Sequence, residues 1–182
     1  MLAKIETKIK DCFLIENGSF KDIRGYFSKC FDKKFLIENY LDFNPQECFY
    51  SVSHKDVIRG MHFQIPPKDQ SKLVTVLAGS IDDVILDLRP WSQTYLEYVQ
   101  FRIDSQQHVS VFVPKGCAHG FKSLEDGTVT MYHVSEGYDP NLDKGLRYDS
   151  FGYDWSTSNP IISRRDLSFD DIQSFLRHPN PF

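Results

Sequence analysis

The chain has 182 residues, of which 41% are hydrophobic, 14% aromatic and 25% charged. This length is typical of one domain, residues 1–182, and the apolar fraction is sufficient for a core, which excludes an intrinsically disordered chain. The formal net charge of −4 excludes the basic surface that long nucleic acids require, although a few arginines can still bind a small anion.

The first predicted element is a short helix over residues 31–38. Phe31 and Phe35 share one face of this helix, and Asp32 is a candidate N-cap. Helical patterns are otherwise few. A second short helix is expected near the C-terminus, beginning after Ser168 or Asp170, and the proline-containing tail cannot continue it.

Between the two helices, short runs rich in valine, isoleucine, phenylalanine and tyrosine alternate with glycine, proline, asparagine and aspartate. This pattern predicts β-strands at residues 71–77, 81–88, 97–103, 108–113 and 128–134. The first two strands are joined by a turn at Gly79, and we interpret the next two as another pair. Strands at this spacing indicate an all-β sandwich or barrel.

Polar residues that are unusual in an all-β core occur in five segments. They are residues 20–27 (FKDIRGYF), 58–64 (IRGMHFQ), Lys72 within an apolar strand, 114–121 (PKGCAHGF), and 131–133 with 137–138. Strand alternation predicts that His62 and Gln64 share one face and that Arg59 lies on the other. If that first face is the barrel interior, a titratable imidazole lines a cavity. Each of these residues alone favours a structural role, and the functional interpretation depends on the set.

The order of these segments resembles the dTDP-4-dehydrorhamnose 3,5-epimerase family. The matching segments are FxDxRG (20–25), RGMHFQ (59–64), KLV (72–74), the Gly79 turn, DLR (87–89), PxGxAHGF (114–121), Tyr132 and PIISRRD (160–166). The resemblance implies an all-β cupin fold, the double-stranded β-helix or jelly roll, with short helical decorations. It also implies epimerisation at C3 and/or C5 of a nucleotide-linked 4-keto-6-deoxy sugar, in the biosynthesis of deoxysugars and of polysaccharides such as capsule or lipopolysaccharide.

The resemblance also implies roles for individual residues. His62 takes the position of the general base, Asp166 that of its orienting partner, and Tyr132 that of the proton donor on the opposite sugar face. Lys72 and the pocket residue His119 would stabilise the enolate that forms when the proton leaves. The substrate-binding positions are Arg24 and Arg59, which grip the diphosphate, and Lys29, Glu47, Phe49, His119, Tyr138, Asp143 and Arg165.

Three of these positions depart from the family pattern. Lys29 stands where dTDP-specific members have glutamate, and Glu47 and Phe49 stand where glutamine and asparagine are usual. The nucleotide (dTDP, GDP or CDP) and the sugar (hexose or heptose) therefore stay open. A C3-only or C5-only epimerase, a more distant keto-sugar isomerase and a non-catalytic nucleotide-sugar-binding cupin are the alternatives. The base, its aspartate and the tyrosine together favour an enzyme over a binding protein.

No cofactor is expected. The substrate already carries its ketone, and the sequence contains no GxGxxG or GxxxxGK[ST] segment. Metal-binding cupins have two histidines one residue apart, whereas the matching stretch here provides only His62. With His119 this gives two candidate ligands, too few for a zinc-type site, so we expect no metal.

The expected partner, besides the nucleotide-diphosphate sugar, is a second copy of the chain. The resemblance implies a homodimer with exchanged N-terminal strands, in which Arg24 reaches the partner's site. No nucleic acid partner is expected, because the net charge is −4, and no membrane span is expected, because no run of eighteen apolar residues is present. The start MLAKIETKIKDC lacks the apolar run of a secretory segment, and the four cysteines are widely spaced. Both features favour free thiols in the cytoplasm.

Overall fold

A computed structural model describes residues 2–39, 41 and 43–182. The strands are β1 (Ala3–Glu6), β2 (Phe13–Glu16), β3 (Gly18–Asp22), β4 (Gly25–Lys29), β5 (Glu47–Ser53), β6 (Ile58–Gln64), β7 (Lys72–Ala78), β8 (Ser80–Asp87), β9 (Tyr98–Asp104), β10 (Val109–Val113), β11 (Cys117–Ser123), β12 (Thr128–Val134) and β13 (Asp143–Gly145). The helices are α1 (Lys33–Glu38), α2 (Arg164–Leu167) and α3 (Ile172–Arg177), and a 3-10 turn covers Ser105–Gln107.

The strands form two antiparallel sheets and a separate hairpin. The six-stranded sheet has the order β1-β2-β10-β7-β12-β5, and the five-stranded sheet has the order β13-β6-β11-β8-β9. From β5 to β12, the chain crosses to the other sheet at almost every connection. This arrangement is the predicted cupin jelly roll.

The core lies between the two sheets. Val74 and Tyr132 from the six-stranded sheet pack in one cluster with Ile85 and Phe121 from the five-stranded sheet. Burial of an apolar side chain of this size contributes about 1.5–3 kcal/mol. The core therefore fixes the two sheets face to face and leaves room for a cavity where the packed side chains end.

The five predicted strands are present as β7, β8, β9, β10 and β12. The predicted pairing of the third with the fourth is wrong, because β9 pairs with β8 while β10 pairs with β2 and β7. The physical reason is the 3-10 turn between them, which is closed by a capping box at Asp104 and carries the chain to the other sheet.

The helices are short and lie outside the sheets. Helix α1 follows the predicted N-cap Asp32, whose carboxylate accepts a hydrogen bond from the Phe35 N–H. Helix α3 follows Asp171 and not the predicted Ser168 or Asp170, because the Asp171 carboxylate caps the first turn. Helix α2 was not predicted, since a single turn carries no periodic pattern. No helix of the described ranges has the length and apolarity that a bilayer crossing requires.

Strands β3 and β4 form a two-stranded hairpin of their own, in a segment where the sequence analysis predicted no strands. The hairpin projects from the body, and its Phe20, Ile23 and Phe27 side chains are each at least 64% exposed. These side chains give the hairpin an exposed apolar surface.

Candidate active site

A cavity of about 260 Å³ opens between the two sheets. It is lined by Glu47, Phe49, Ser51, Arg59, His62, Gln70, Lys72, His119, Tyr132, Val134, Tyr138, Asp143 and Arg165. Ten of the predicted site residues are in this set, and an eleventh, Asp166, lies directly behind His62. The jelly roll therefore brings together residues that are more than a hundred positions apart in the chain.

His62 is held by a buried carboxylate. Its Nε2 lies 3.0 Å from Asp166 Oδ1, and Asp166 Oδ2 accepts a hydrogen bond from the Gly60 N–H at 3.1 Å. Asp166 reaches this position in the single turn of α2, whose N-cap Ser163 accepts the Asp166 N–H. Because Nε2 faces the carboxylate, Nδ1 is the ring nitrogen of His62 that remains for a substrate.

This environment sets the charge of the pair. Burial lowers the pKa of His62 below its usual value, and the hydrogen bond and charge of Asp166 offset part of that effect. Burial raises the pKa of Asp166, but its contacts with His62 and the Gly60 N–H outweigh burial, so its net pKa lies below the usual value. At neutral pH the pair is a neutral imidazole beside a carboxylate, which is the form of histidine that accepts a proton.

A β-bulge in β6 turns both Arg59 and His62 to the cavity. Their partners on β11 are two residues apart, whereas Arg59 and His62 are three apart, so β6 carries one extra residue. The prediction that Arg59 lies on the opposite face is therefore wrong. Gly60 permits the bulge, because its φ is 137° and a Cβ there would lie 2.5 Å from Gly120 Cα.

Arg59 is fixed at the cavity by the opposite sheet. Its Nε donates to Ser53 Oγ at 3.1 Å, and its Nη2 donates to the Val52 carbonyl at 3.1 Å. Both acceptors belong to β5, so the guanidinium bridges the two sheets. The remaining donors of the guanidinium are available to an anion such as a diphosphate.

Lys72 is a buried cation beside His62. It is 9% exposed, and its Nζ donates to the His62 carbonyl at 3.1 Å. Burial lowers the pKa of Lys72 to about 8, against the opposing charges of Asp143 and Asp83. Lys72 is therefore mostly charged at neutral pH and has further N–H donors for an oxyanion in the cavity.

Tyr132 faces the same cavity from the other sheet. It lies on β12 of the six-stranded sheet, whereas His62 lies on β6 of the five-stranded sheet. Burial raises the pKa of Tyr132, and the negative charge of Asp83 raises it further, so the phenol stays protonated. Phe49 stacks on the Tyr132 ring with centroids 5.1 Å apart and adds an apolar wall beside it.

The cavity contains a second histidine–carboxylate pair, of which only the histidine was predicted. His119 lines the cavity as expected, and its Nε2 lies 2.6 Å from Asp83 Oδ1. Asp83 is fully buried, and the sequence analysis did not single it out. The signal that could have found it is an aspartate in the apolar strand β8, because a buried carboxylate requires a partner. Asp83 holds the His119 ring in place and supplies negative charge near Lys72 and Tyr132.

Glu47 contacts a loop of the protein as well as the cavity. Its Oε1 accepts a hydrogen bond from the Tyr138 N–H at 3.0 Å. The carboxylate therefore holds the loop that places the exposed Tyr138 ring at the cavity mouth. One of its oxygens is thus engaged by the chain itself, which explains how an acidic residue is accommodated at this position.

An ion pair between Arg165 and Asp143 forms another wall of the cavity. The Arg165 guanidinium also lies over the Phe169 ring, 5.0 Å from its centroid, and the Phe169 ring meets the His62 ring edge-on at 5.8 Å. Phe169 was not predicted, because a lone phenylalanine is indistinguishable from a core residue in the sequence. Gly145 makes room for this ring, since a Cβ there would lie 2.2 Å from it.

Arg24 and Lys29 do not join the other site residues within one chain. Arg24 lies at the tip of the β3–β4 hairpin, with its side chain 83% exposed, and it forms an ion pair with Asp22. Lys29 ends β4 and pairs with Asp32 at 3.0 Å. Neither belongs to the cavity lining, because the hairpin projects away from the sheets.

The described part of the chain groups no three histidine, cysteine, aspartate or glutamate side chains as metal ligands would be. His62 and His119 each have a ring nitrogen engaged by an aspartate. The expectation that the site takes no metal stays a prediction.

Comparisons with known proteins agree on one family. The family model described as dTDP-4-dehydrorhamnose 3,5-epimerase matches residues 6–174. The dTDP-4-dehydrorhamnose 3,5-epimerase of Methanothermobacter thermautotrophicus is 36% identical over 174 residues, which cover 93% of this chain and 94% of that protein.

Solved structures give the same result. The crystal structure of dTDP-4-dehydrorhamnose 3,5-epimerase from Bacillus anthracis, with TDP and PPi bound, has a TM-score of 0.92 at 35% identity and covers 94% of this chain and 100% of that chain. NovW, a 4-keto-6-deoxy sugar epimerase from the novobiocin gene cluster of Streptomyces spheroides, has a TM-score of 0.92 at 28% identity and covers 97% and 90%.

Proposed function

The chain belongs to the dTDP-4-dehydrorhamnose 3,5-epimerase family of isomerases, and on this premise we propose that it epimerises a dTDP-linked 4-keto-6-deoxy sugar at C3 and C5. The observation that carries the proposal is the placement of His62 and Tyr132 on opposite sheets of one cavity. Epimerisation requires a proton to leave one face of the sugar and another to arrive on the opposite face. Residues 1–182 act as one epimerase domain in this proposal.

Proton removal is assigned to His62. Its Nδ1 accepts the proton from the carbon next to the C4 ketone, and the electron pair of the broken C–H bond forms an enolate. Asp166 stabilises the imidazolium that results, through the contact at 3.0 Å. The Lys72 ammonium stabilises the enolate oxygen, and His119, fixed by Asp83, lies beside the same cavity to donate to it.

Proton return is assigned to Tyr132. Its phenol donates a proton to the enolate carbon from the face opposite His62, the C4 ketone re-forms, and the configuration at that carbon is inverted. Solvent then restores the phenol proton and removes the proton from His62, so no redox partner is needed. Reorientation of the ring would repeat the same steps at the second carbon.

The exposed apolar hairpin supports a contribution from a second subunit. Its Phe20, Ile23 and Phe27 side chains are at least 64% exposed in a single chain. We propose a homodimer with exchanged N-terminal strands, in which the β3–β4 hairpin covers the edge strand β5 of the partner. The outward Tyr50 and Val52 of β5 are 68% and 56% exposed, which matches the apolar surface of the hairpin. Arg24 would then complete the diphosphate site of the other subunit.

Subunit complementation tests this assembly. The Arg24→Ala and His62→Asn chains are each expected to be inactive as homodimers, because every site lacks either the arginine or the base. After mixed refolding, half of the dimers combine both chains, and one of their two sites is intact. We therefore expect about a quarter of the parental activity. An absence of any recovery, with mixed dimers demonstrated, would contradict the shared site.

The alternatives concern specificity. Lys29, Glu47 and Phe49 depart from the usual residues, and these departures favour a GDP-, CDP- or heptose-linked substrate as the second candidate. A C3-only or C5-only epimerase would use the same base and phenol and is the other alternative. A non-catalytic sugar-binding cupin is disfavoured, because a binding protein needs neither a base nor an opposed phenol.

NMR in D₂O separates these functions. The protein is incubated with dTDP-, GDP- and CDP-linked 4-keto-6-deoxy sugars, and deuterium is followed at each sugar carbon. Deuterium at both C3 and C5 of the dTDP sugar is the expected result. Deuterium at one carbon alone identifies a mono-epimerase, and complete absence of exchange with all three, in the presence of binding, identifies a binding protein.

A cytoplasmic location completes the proposal. In the described part of the chain Cys12, Cys30, Cys48 and Cys117 are all free thiols. Unpaired cysteines are typical of a reducing compartment.

A further inference from the structure

The side chain of Gln64, the last residue of β6, joins two loops at the cavity mouth. It is 2% exposed and follows His62 by two residues on the same strand. Its Nε2 donates to the Lys68 carbonyl at 2.7 Å and to the Gly137 carbonyl at 3.3 Å, and its Oε1 accepts the Asp139 N–H at 2.9 Å. Both amide hydrogens and the amide oxygen are therefore engaged by backbone groups of the two loops.

The two loops carry cavity residues on opposite sides of the mouth. Loop 65–71 leads into Lys72, and loop 135–142 carries Tyr138 and leads into Asp143. Lys72, Tyr138 and Asp143 all line the cavity. The separation of the two loops therefore decides how far the Tyr138 ring lies from the buried cation.

We propose that Gln64 is a positioning residue for nucleotide-sugar binding, which holds the middle parts of loops 65–71 and 135–142 together between the backbone hydrogen bonds that join their ends. This inference rests on the proposed function for the identity of the ligand. The geometry of the linkage is independent of that identity. Gln64 acts through the loops and is not placed against the reacting carbon.

The chemistry of the linkage favours an amide over other side chains of this length. A glutamate keeps an acceptor for the Asp139 N–H but has no donor when ionised, so the Lys68 and Gly137 carbonyls would face negative oxygens. A methionine of similar shape leaves all three backbone groups unpaired. Buried polar groups without partners destabilise the segment that carries them.

Two other side-chain contacts join the same loops. The Ser71 N–H donates to Ser135 Oγ at 2.9 Å at one end of the loops, and an exposed ion pair near their middle serves as the control. Lys68 Nζ lies 3.5 Å from Asp139 Oδ2, with side-chain exposures of 45% and 24%. An exposed ion pair of this kind contributes little to stability. A Lys68→Met chain therefore removes a link between the loops without affecting the buried amide.

The experiment compares the parent with Gln64→Glu, Gln64→Met and Lys68→Met as full chains. Amide hydrogen exchange is measured on the free proteins, and the dissociation constant of dTDP is measured by calorimetry. For both Gln64 variants we expect exchange to rise together in loops 65–71 and 135–142, while β7 and β12 stay protected. The dTDP dissociation constant should rise about 10- to 100-fold, because two buried carbonyls lose their donor. Lys68→Met should stay within about twofold of the parent in both measurements.

Steady-state kinetics adds a measurement that a general loss of stability would not give. For Gln64→Glu we expect KM to rise about as much as the dissociation constant while kcat changes less than about threefold, since His62 and Asp166 are untouched. If protonation restores one donor, the KM of this variant alone should fall as the pH is lowered.

Three results would overturn the inference. They are unchanged loop exchange in the Gln64 variants, exchange that rises in only one loop, or a Lys68→Met chain that behaves like Gln64→Met. If Gln64→Glu does not fold, Gln64→Asn keeps a neutral amide too short to reach both loops and should give the same exchange pattern. A protein that shows coupled loop exchange but binds no dTDP would contradict the proposed function and leave the linkage supported.

Discussion

Replacement of Asp166 by asparagine tests the base assignment most directly. In the parent, the two carboxylate oxygens of Asp166 accept from two donors, the His62 Nε2–H and the Gly60 N–H. Asparagine has one acceptor oxygen and one donor amide, so it can satisfy only one of these two groups. Every orientation of the new side chain therefore disturbs the histidine or the bulge.

The size of the expected loss in rate follows from the two orientations that the asparagine amide can take. If the amide oxygen faces Gly60, the NH₂ group faces Nε2 of His62, which must then carry no proton, and Nδ1 is protonated and cannot act as the base. If the oxygen faces His62, two donors meet at Gly60, which costs about 1–3 kcal/mol. The productive tautomer is then about 10- to 100-fold rarer, and the imidazolium also loses its carboxylate. We expect proton abstraction to fall by about 10²–10⁴-fold.

The assay is the rate of deuterium incorporation into the substrate as a function of pH. The negative charge of Asp166 raises the pKa of His62, so its removal lowers that pKa further. Because the neutral ring is the base, activity falls as the pH drops through the His62 pKa. The acid limb of kcat/KM should therefore move to lower pH in Asp166→Asn, while the maximum rate falls.

Ser163→Ala is the matched control. It removes the N-cap of α2, at a cost of about 1 kcal/mol of stability, but leaves the carboxylate in place. Its exchange rate should stay within about threefold of the parent. Solvent exchange near the parental rate in Asp166→Asn, or an acid limb displaced to higher pH, would refute the assignment of the His62–Asp166 pair.

Three further predictions concern other parts of the site. Lys72 has a pKa of about 8, so it loses its positive charge as the pH rises through that value and kcat should fall there. In Lys72→Arg the charge is kept and this alkaline fall in kcat should disappear; a fall that persists would mean that another group causes it. Tyr132→Phe should continue to exchange protons with D₂O but lose net inversion by about 10²-fold, as followed by NMR, and full inversion would exclude the phenol as the donor. Gly60→Ala should lower the stability by about 1–3 kcal/mol in denaturant titrations, because its φ is 137° and its Cβ would meet Gly120; an unchanged midpoint would mean that the bulge adapts.

The central strands could be predicted because local pattern decides them. Strands β7 to β10 and β12 consist of apolar runs between turn residues, and this pattern does not depend on the partner strand. The pairing of β9 and β10 could not be predicted, since the 3-10 turn at 105–107 determines the crossing to the other sheet. The hairpin β3–β4 was missed for a related reason, because its apolar side chains face outward and give no inward periodicity.

The roles of the site residues could be predicted only from the resemblance to a family, because the residue pattern alone indicates no more than a histidine that lines a cavity. The bulge at Gly60 could not be foreseen, because one extra residue in a strand reverses the alternation that places Arg59. Asp83 was missed because it lies in a run of buried residues and its role depends on His119, 36 positions away in the chain. Phe169 has no polar signal at all. Arg24 and Lys29 lie on the β3–β4 hairpin, away from the cavity of their own chain, so their role in the site depends on the proposed second subunit.

The placement of the base on one sheet and the phenol on the other separates two kinds of evolutionary change. The handedness of the product depends on which layer of the barrel supplies each proton-handling group, and those layers are fixed by the core between them. In the proposed function, the nucleotide is recognised by the hairpin and by the edge strand β5, whose Lys29, Glu47 and Phe49 lie outside that core. Drift at these positions can therefore give relatives with new nucleotide preferences that still deliver the proton to the same stereochemical face.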